Sequence, residues 1–248
     1  MFDPAPPVDA FPAPRPILPI ERLGAAIEVF ICSGLPTQLF LVWVLLGFGI
    51  PMELPDKQLS STAVFLVSLI DTVLVIGLVF LFLRAHRESP REVLLGHRRV
   101  LREVGLGLLL IPVVFVIVAM IMGAILYYAP SLRNVPENPL ENLMRSRGEA
   151  IVFAFVVMVA GGLREEIQRG FIIHRFDGFL GGGGVGVIVY SALFGLGHYQ
   201  QGWDASIATA CLGATWGFVY LRRRSVVAPV VSHAGFNLAQ IVKALALR

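Results

Sequence analysis

The chain has 248 residues, of which 56% are hydrophobic and 15% charged, with a mean hydropathy of +0.76 and a formal net charge of +3. A soluble domain carries about 25% charged residues. This composition therefore excludes an ordinary globular domain and predicts a membrane protein, with several runs that reach the roughly 20 apolar residues one crossing needs. Cys32 and Cys211 fall in separate apolar runs, far from any zinc-type spacing, and read as small core residues.

The chain opens with prolines at positions 4, 6, 7, 12, 14, 16 and 19, which rule out the helical apolar core of a signal peptide. Residues 1–22 are expected to form a disordered or polyproline-like tail. Seven candidate spans follow, at about residues 26–48, 63–83, 106–128, 150–175, 185–197, 206–221 and 226–247. The expected fold is an all-α polytopic membrane bundle of about seven transmembrane helices. Residues 23–147 would form an N-terminal set of spans, and residues 148–248 a more polar core.

Arginines set the expected orientation. The link between spans two and three carries Arg84, Arg87, Arg91, Arg98, Arg99 and Arg102, and the link between spans six and seven carries Arg222, Arg223 and Arg224. The positive-inside rule makes both cytoplasmic, and alternation then places the N-terminus, with Arg15 and Arg22, on the same side. The link at 130–148 faces outward; Arg133, Arg145 and Arg147 there run against the trend, and Pro130, Pro136 and Pro139 mark it as non-helical. The run Gly181–Gly184 is a chain reversal between spans four and five. No GxxxxGK[ST] follows it, so a phosphate cradle is not expected.

The last third holds the residues that can carry chemistry: Glu165, Glu166, His198, His233 and Asn237, all within or beside predicted spans. A charge at the bilayer centre costs about 2.5–3.5 kcal/mol, so such residues are usually paired and functional. Glu165 and Arg169, Phe194 and His198, and His233 and Asn237 are each four apart, which puts each pair on one helix face. Glu166 lies about 100° round from Glu165, so one acid faces a shared cavity and the other is free to pair with Arg164 or Arg169. Bland readings exist for each: a structural Glu165–Arg169 ion pair, His198 in an interfacial belt with Tyr199 and Trp203, and His233 with Asn237 as interhelical glue. One site explains all three together. Asp71 and Glu28, in spans two and one, instead fit a transporter, with Gln38 or a site residue as a partner for Asp71.

Glu165-Glu166-Ile167-Gln168-Arg169-Gly170, then Phe194-Gly-Leu-Gly-His198, then His233-Ala-Gly-Phe-Asn237, resemble the three motifs EExxxR, FxxxH and HxxxN of the CAAX-protease and bacteriocin-processing family of intramembrane endopeptidases. The resemblance covers roughly residues 150–240. Glu165 and Arg169 are four apart where the family pattern has five, so either Glu165 is the first acid or Arg164 takes that position. Glu165 is preferred as the acid because it shares a face with Arg169.

The resemblance implies peptide-bond hydrolysis within the membrane, acting on a membrane protein or peptide or on a lipidated, CAAX-type substrate, with no nucleic-acid partner. One of the two acids would activate water, His198 would orient it, His233 and Asn237 would stabilise the oxyanion, and Arg169 and Phe194 would support them. No cofactor is expected. Glu165, His198 and His233 also fit a zinc set with an open position, although no HExxH is present. A non-catalytic scaffold or immunity factor is the alternative from a different class. The expected location is a bacterial plasma membrane, multi-pass, with the N-terminus cytoplasmic.

Overall fold

The computed structural model describes residues 16–136 and 138–246. Its helices are α1 (Pro19–Ile31), α2 (Leu35–Gly47), α3 (Ser61–Ala85), α4 (Pro90–Leu94) and α5 (Val100–Tyr128), then α6 (Arg147–Val156), a π-helical stretch (Val157–Arg164), α7 (Glu165–Phe179), α8 (Gly183–Leu196), α9 (Trp203–Arg223) and α10 (Val227–Ala246). The fold is an all-α bundle. By length and composition α3 and α5 can each cross a membrane, and α1 with α2 can serve as a third, bent span.

Local chemistry explains where the helices start. Ser60 caps α3 by accepting from the Ala63 N–H, and Ser146 with Glu149 forms a reciprocal capping box at α6. Pro19 opens α1 at a position where its missing N–H costs nothing. The expected tail at 1–22 is thus too long by four residues; residues 1–15 lie outside the described part, as does the last residue of the seventh expected span.

One span also differs from expectation, and another is as short as expected. The first span is not continuous: it breaks at residues 32–34 and bends by 42°. Gly34 sits there at φ 81°, a left-handed conformation that glycine adopts without a Cβ penalty. The fifth span is α8, only 14 residues long. At about 1.5 Å per residue it reaches about 21 Å, short of a hydrocarbon core of about 30 Å.

The bundle has two unlike ends. At one, the links carrying the arginine clusters are tied together. Arg175 on α7 pairs with Glu28 on α1 (2.6 Å) and Glu88 before α4 (2.6 Å), and Arg224 pairs with Asp177 (2.7 Å). Arg223 pairs with the fully buried Glu103, and the Val226 N–H donates to the Leu94 carbonyl at 2.8 Å. Beneath them a core of Val79, Leu83, Phe171, Ile173, Tyr190 and Tyr220 fills the space. At the other end Arg145 donates to Gln58 (2.8 Å) and the Trp203 N–H to Asn134 (3.0 Å), while Leu143, Met144, Phe153 and Ile241 form a smaller apolar cluster.

Candidate active site

A cavity of about 560 Å³ lies between α3, α6, the π stretch, α9 and α10, and Glu165, His198, His233, Asn237 and Phe194 all line it. Five of the seven residues expected at the site therefore meet at one space. Glu166 and Arg169 do not line it. They lie directly below, each side chain 1% exposed and paired with the other.

Of the two readings the sequence left open, the bland Glu165–Arg169 ion pair is not formed: Glu166, the acid outside the cavity, pairs with Arg169 across three residues. Both spacings bring side chains together on a helix, and the choice between them is made by what surrounds the guanidinium. Arg169 lies over the Phe194 ring at 4.5 Å and within 5.6 Å of the Trp216 and Tyr190 rings, on the closed side of the site. Glu166 points there; Glu165 points into the cavity.

Glu165 is held from the other flank. Arg164 reaches Glu165 Oε1 at 3.2 Å, Gln168 at 3.2 Å and Asp71 at 3.1 Å. Asp71, 1% exposed within α3, also accepts from Thr37 and from Gln38 (3.1 Å) on α2. The break at Gly34 makes this possible, because a Cβ there would lie 3.2 Å from Arg164 Nη1. The second oxygen of Glu165, Oε2, is buried and has no hydrogen-bond partner among the described residues; His233 Nε2 lies 3.9 Å from it.

The histidines are fixed by their other nitrogens. His233 Nδ1 meets Glu166 at 2.8 Å and its ring stacks on Trp216 at 3.9 Å, so Nε2 faces Glu165. Trp216 in turn donates to Ser232 at 3.2 Å. His198 lies two residues past the end of α8, and Nδ1–H donates to the Phe194 carbonyl at 2.8 Å, which leaves Nε2 as an acceptor. The boundaries read from sequence put His198 nearer the far side than His233. It reaches the common cavity because α8 stops short.

Asn237 donates to the Val157 carbonyl at 3.4 Å. The π stretch widens the turn just ahead of the acids, a distortion frequent at functional sites. Gly161 and Gly162 let it lie against α10: a Cβ on Gly161 would fall 2.7 Å from Asn237 Nδ2, and one on Gly162 would fall 2.7 Å from the Ala234 Cβ. Sequence reasoning missed Arg164 as the clamp on Glu165 and Trp216 as the bed of His233. The Gly161-Gly162 pair was the available signal for the close approach. Among the described residues no three His, Cys, Asp or Glu side chains are grouped as ligands of one ion.

The transporter reading rested on Glu28 and Asp71, and both are occupied: Glu28 by Arg175 and His86 (2.6 Å each), Asp71 by Arg164 and Gln38. Residues 147–239 match a family described as type II CAAX prenyl endopeptidase, Rce1-like. Comparison with curated proteins gives no match, and comparison with solved structures gives none.

Proposed function

We propose that this chain, whose residues 147–239 match the type II CAAX prenyl endopeptidase, Rce1-like, family, is an integral membrane hydrolase that cuts peptide bonds with water activated by Glu165. The observation that carries the assignment is Glu165 Oε2, buried at the cavity wall without a hydrogen-bond partner among the described residues, with the imidazole of His233 beside it. A buried carboxylate oxygen left unpaired costs free energy unless water or substrate completes it.

In this mechanism a water sits between Glu165 Oε2 and His198 Nε2. Glu165 takes a proton as the water oxygen bonds to the scissile carbonyl carbon. The carbonyl oxygen becomes an oxyanion, and Asn237 Nδ2–H donates to it, joined by Nε2–H of His233 in its imidazolium form, whose Nδ1–H the Glu166 carboxylate accepts. Glu165 then returns the proton to the amine as the C–N bond breaks. Glu166 holds His233 from behind and Arg169 neutralises Glu166. Neither touches substrate, so both are positioning residues. Arg164, anchored by Asp71, keeps Oε1 occupied and aims Oε2 at the water.

Purified protein incubated with a library of membrane-associated peptides tests this. Cleavage is expected in the presence of a chelator, and none with Glu165→Gln. Cleavage that a chelator abolishes and zinc restores would assign the same cavity to a metal, and function that survives both Glu165→Gln and His198→Ala would leave only a scaffold.

A further inference from the structure

We propose that the link between α3 and α5 is a binding site for the phosphate headgroup of an anionic phospholipid. The site lies apart from the cavity, and lipid binding there does not rest on the endopeptidase reading above.

The free cations of the chain gather in this link. Arg84, Arg87, Arg91, Arg98, Arg99 and Arg102 are all exposed, and none has an ion-pair partner among the described residues. Arg164, Arg169, Arg175, Arg223 and Arg224 each hold a carboxylate instead. Of the two acids in the same segment, Glu88 is taken by Arg175 and His174, which leaves Glu92 against six guanidiniums. So many like charges repel one another, and a bound anion relieves the repulsion.

The fold makes a hollow among them. Ser89, Arg91, Glu92, Gly96, His97 and Arg98 line a space of about 300 Å³ at α4 and the turn after it. That turn is fixed from behind: Tyr220 donates to the Val93 carbonyl at 3.1 Å, and the Val226 N–H donates to the Leu94 carbonyl at 2.8 Å. Gly96, at φ 62°, packs so closely on the link between α9 and α10 that a Cβ would overlap the Arg224 carbonyl oxygen. With the ion pairs of Arg175 and Arg223, these contacts close this end of the bundle. The closed end therefore offers its arginines from a fixed platform, which lowers the entropy lost on binding.

Depth identifies the anion as a lipid's. The 29 residues of α5 rise about 43 Å, against about 30 Å of hydrocarbon and about 40–45 Å with headgroups, so both its ends reach the headgroup layers. Arg102 stands in its first turn, and Arg84 stands in the last turn of α3 at the same end. Leu101, between these arginines, is 85% exposed, and Leu95 beside the hollow is 38% exposed. A soluble phosphate would leave both leucines in water, whereas a phospholipid covers them with its acyl chains. Guanidiniums match phosphate oxygens two at a time, and basic pockets beside transmembrane helices bind lipid phosphates.

The test uses the purified full-length protein in detergent with added phosphatidylglycerol or phosphatidylcholine, read by native mass spectrometry and melting temperature. Phosphatidylglycerol is expected to stay bound and to raise the melting temperature more than phosphatidylcholine does. Arg91→Gln with Arg98→Gln should melt like the parent in phosphatidylcholine but bind phosphatidylglycerol about 30-fold more weakly. Arg133→Gln with Arg147→Gln, away from the hollow, should bind it like the parent. If the first pair lowers stability in phosphatidylcholine, Arg98→Gln alone carries the test, with an expected loss of about fivefold.

Undiminished binding by these hollow variants overturns the inference. An equal rise in melting temperature with inorganic phosphate makes the ligand a soluble anion, and tighter binding of polyglutamate than of phosphatidylglycerol makes it an acidic protein; either result overturns the lipid assignment. Glu165→Gln should bind the lipid like the parent, so failure of this site and failure of the endopeptidase reading are told apart.

Discussion

The closed end of this bundle and its cavity are built from the same kinds of residue and treat them differently. At the closed end buried ions meet ions: Arg175 lies between Glu28 and Glu88, and Glu103 meets Arg223. Around the cavity the clamp on Glu165 engages one oxygen and leaves the other without a hydrogen-bond partner among the described residues. Two adjacent acids stand on the border. Glu166 belongs to the packed side and Glu165 to the hollow side, so a single peptide bond separates a charge locked in an ion pair from the one we propose as the base.

If that contrast is right, substitutions in the two halves should read out differently. Phe171→Ala, in the filled core, should cost about 3–5 kcal/mol of stability, seen as a lower melting temperature in detergent, with the KM of surviving protein unchanged. Asn237→Ala, at the cavity wall, should do the opposite: kcat falls about 10²–10³-fold, the value of one oxyanion donor, while the melting temperature holds. Gly162→Val tests the contact between the halves. Its side chain would overlap Ala234, and overpacking of this kind costs about 1–3 kcal/mol, so both stability and activity should drop.

Acid gives the smallest effect. The buried environment of Glu88 acts to raise its pKa, but hydrogen bonds and charge from His174 and Arg175 outweigh it and hold the carboxyl below its usual range. Burial also opposes ionisation of Asp177, and Arg224 with the Gly183 N–H holds it low in the same way. Both carboxylates are depressed in the folded state. Their contribution is therefore complete above the ordinary carboxylate pKa of about 4 and is lost as pH falls through the lower folded values. Hydrogen exchange at the closed end should stay flat from pH 7 to about 5 and rise only below about 4. In Glu88→Gln that acid-induced rise should shrink, and the closed end should exchange faster at neutral pH.

Much of this was legible in the residues. Apolar runs bounded by arginines gave the helices and their order, because length and charge in a bilayer are coarse requirements that many sequences meet in the same way. The three spacings at Glu165, His198 and His233 pointed to a common site, and those side chains do line one cavity. What escaped was set by packing. The choice of Glu166 over Glu165 as the partner of Arg169, which the sequence left open, goes with the rings of Phe194 and Trp216 around the guanidinium, and the Arg164–Asp71 clamp joins α3 to a residue far along the chain. The break after Ile31 had a visible cue in Gly34-Leu35-Pro36, yet the hydrophobic run around it reads as continuous. The π turn has only the Gly161-Gly162 pair to announce it.

The most direct measurement compares Glu165→Gln with Glu166→Gln for cleavage and melting temperature in one preparation. Glu165→Gln should melt like the parent and cut at least about 10²-fold more slowly, within the range a general base supplies. Glu166→Gln should melt several degrees lower, because it removes one member of a buried ion pair and leaves Arg169 uncompensated. If Glu165→Gln still cuts while Glu166→Gln keeps its melting temperature and does not, the two acids have been assigned the wrong way round.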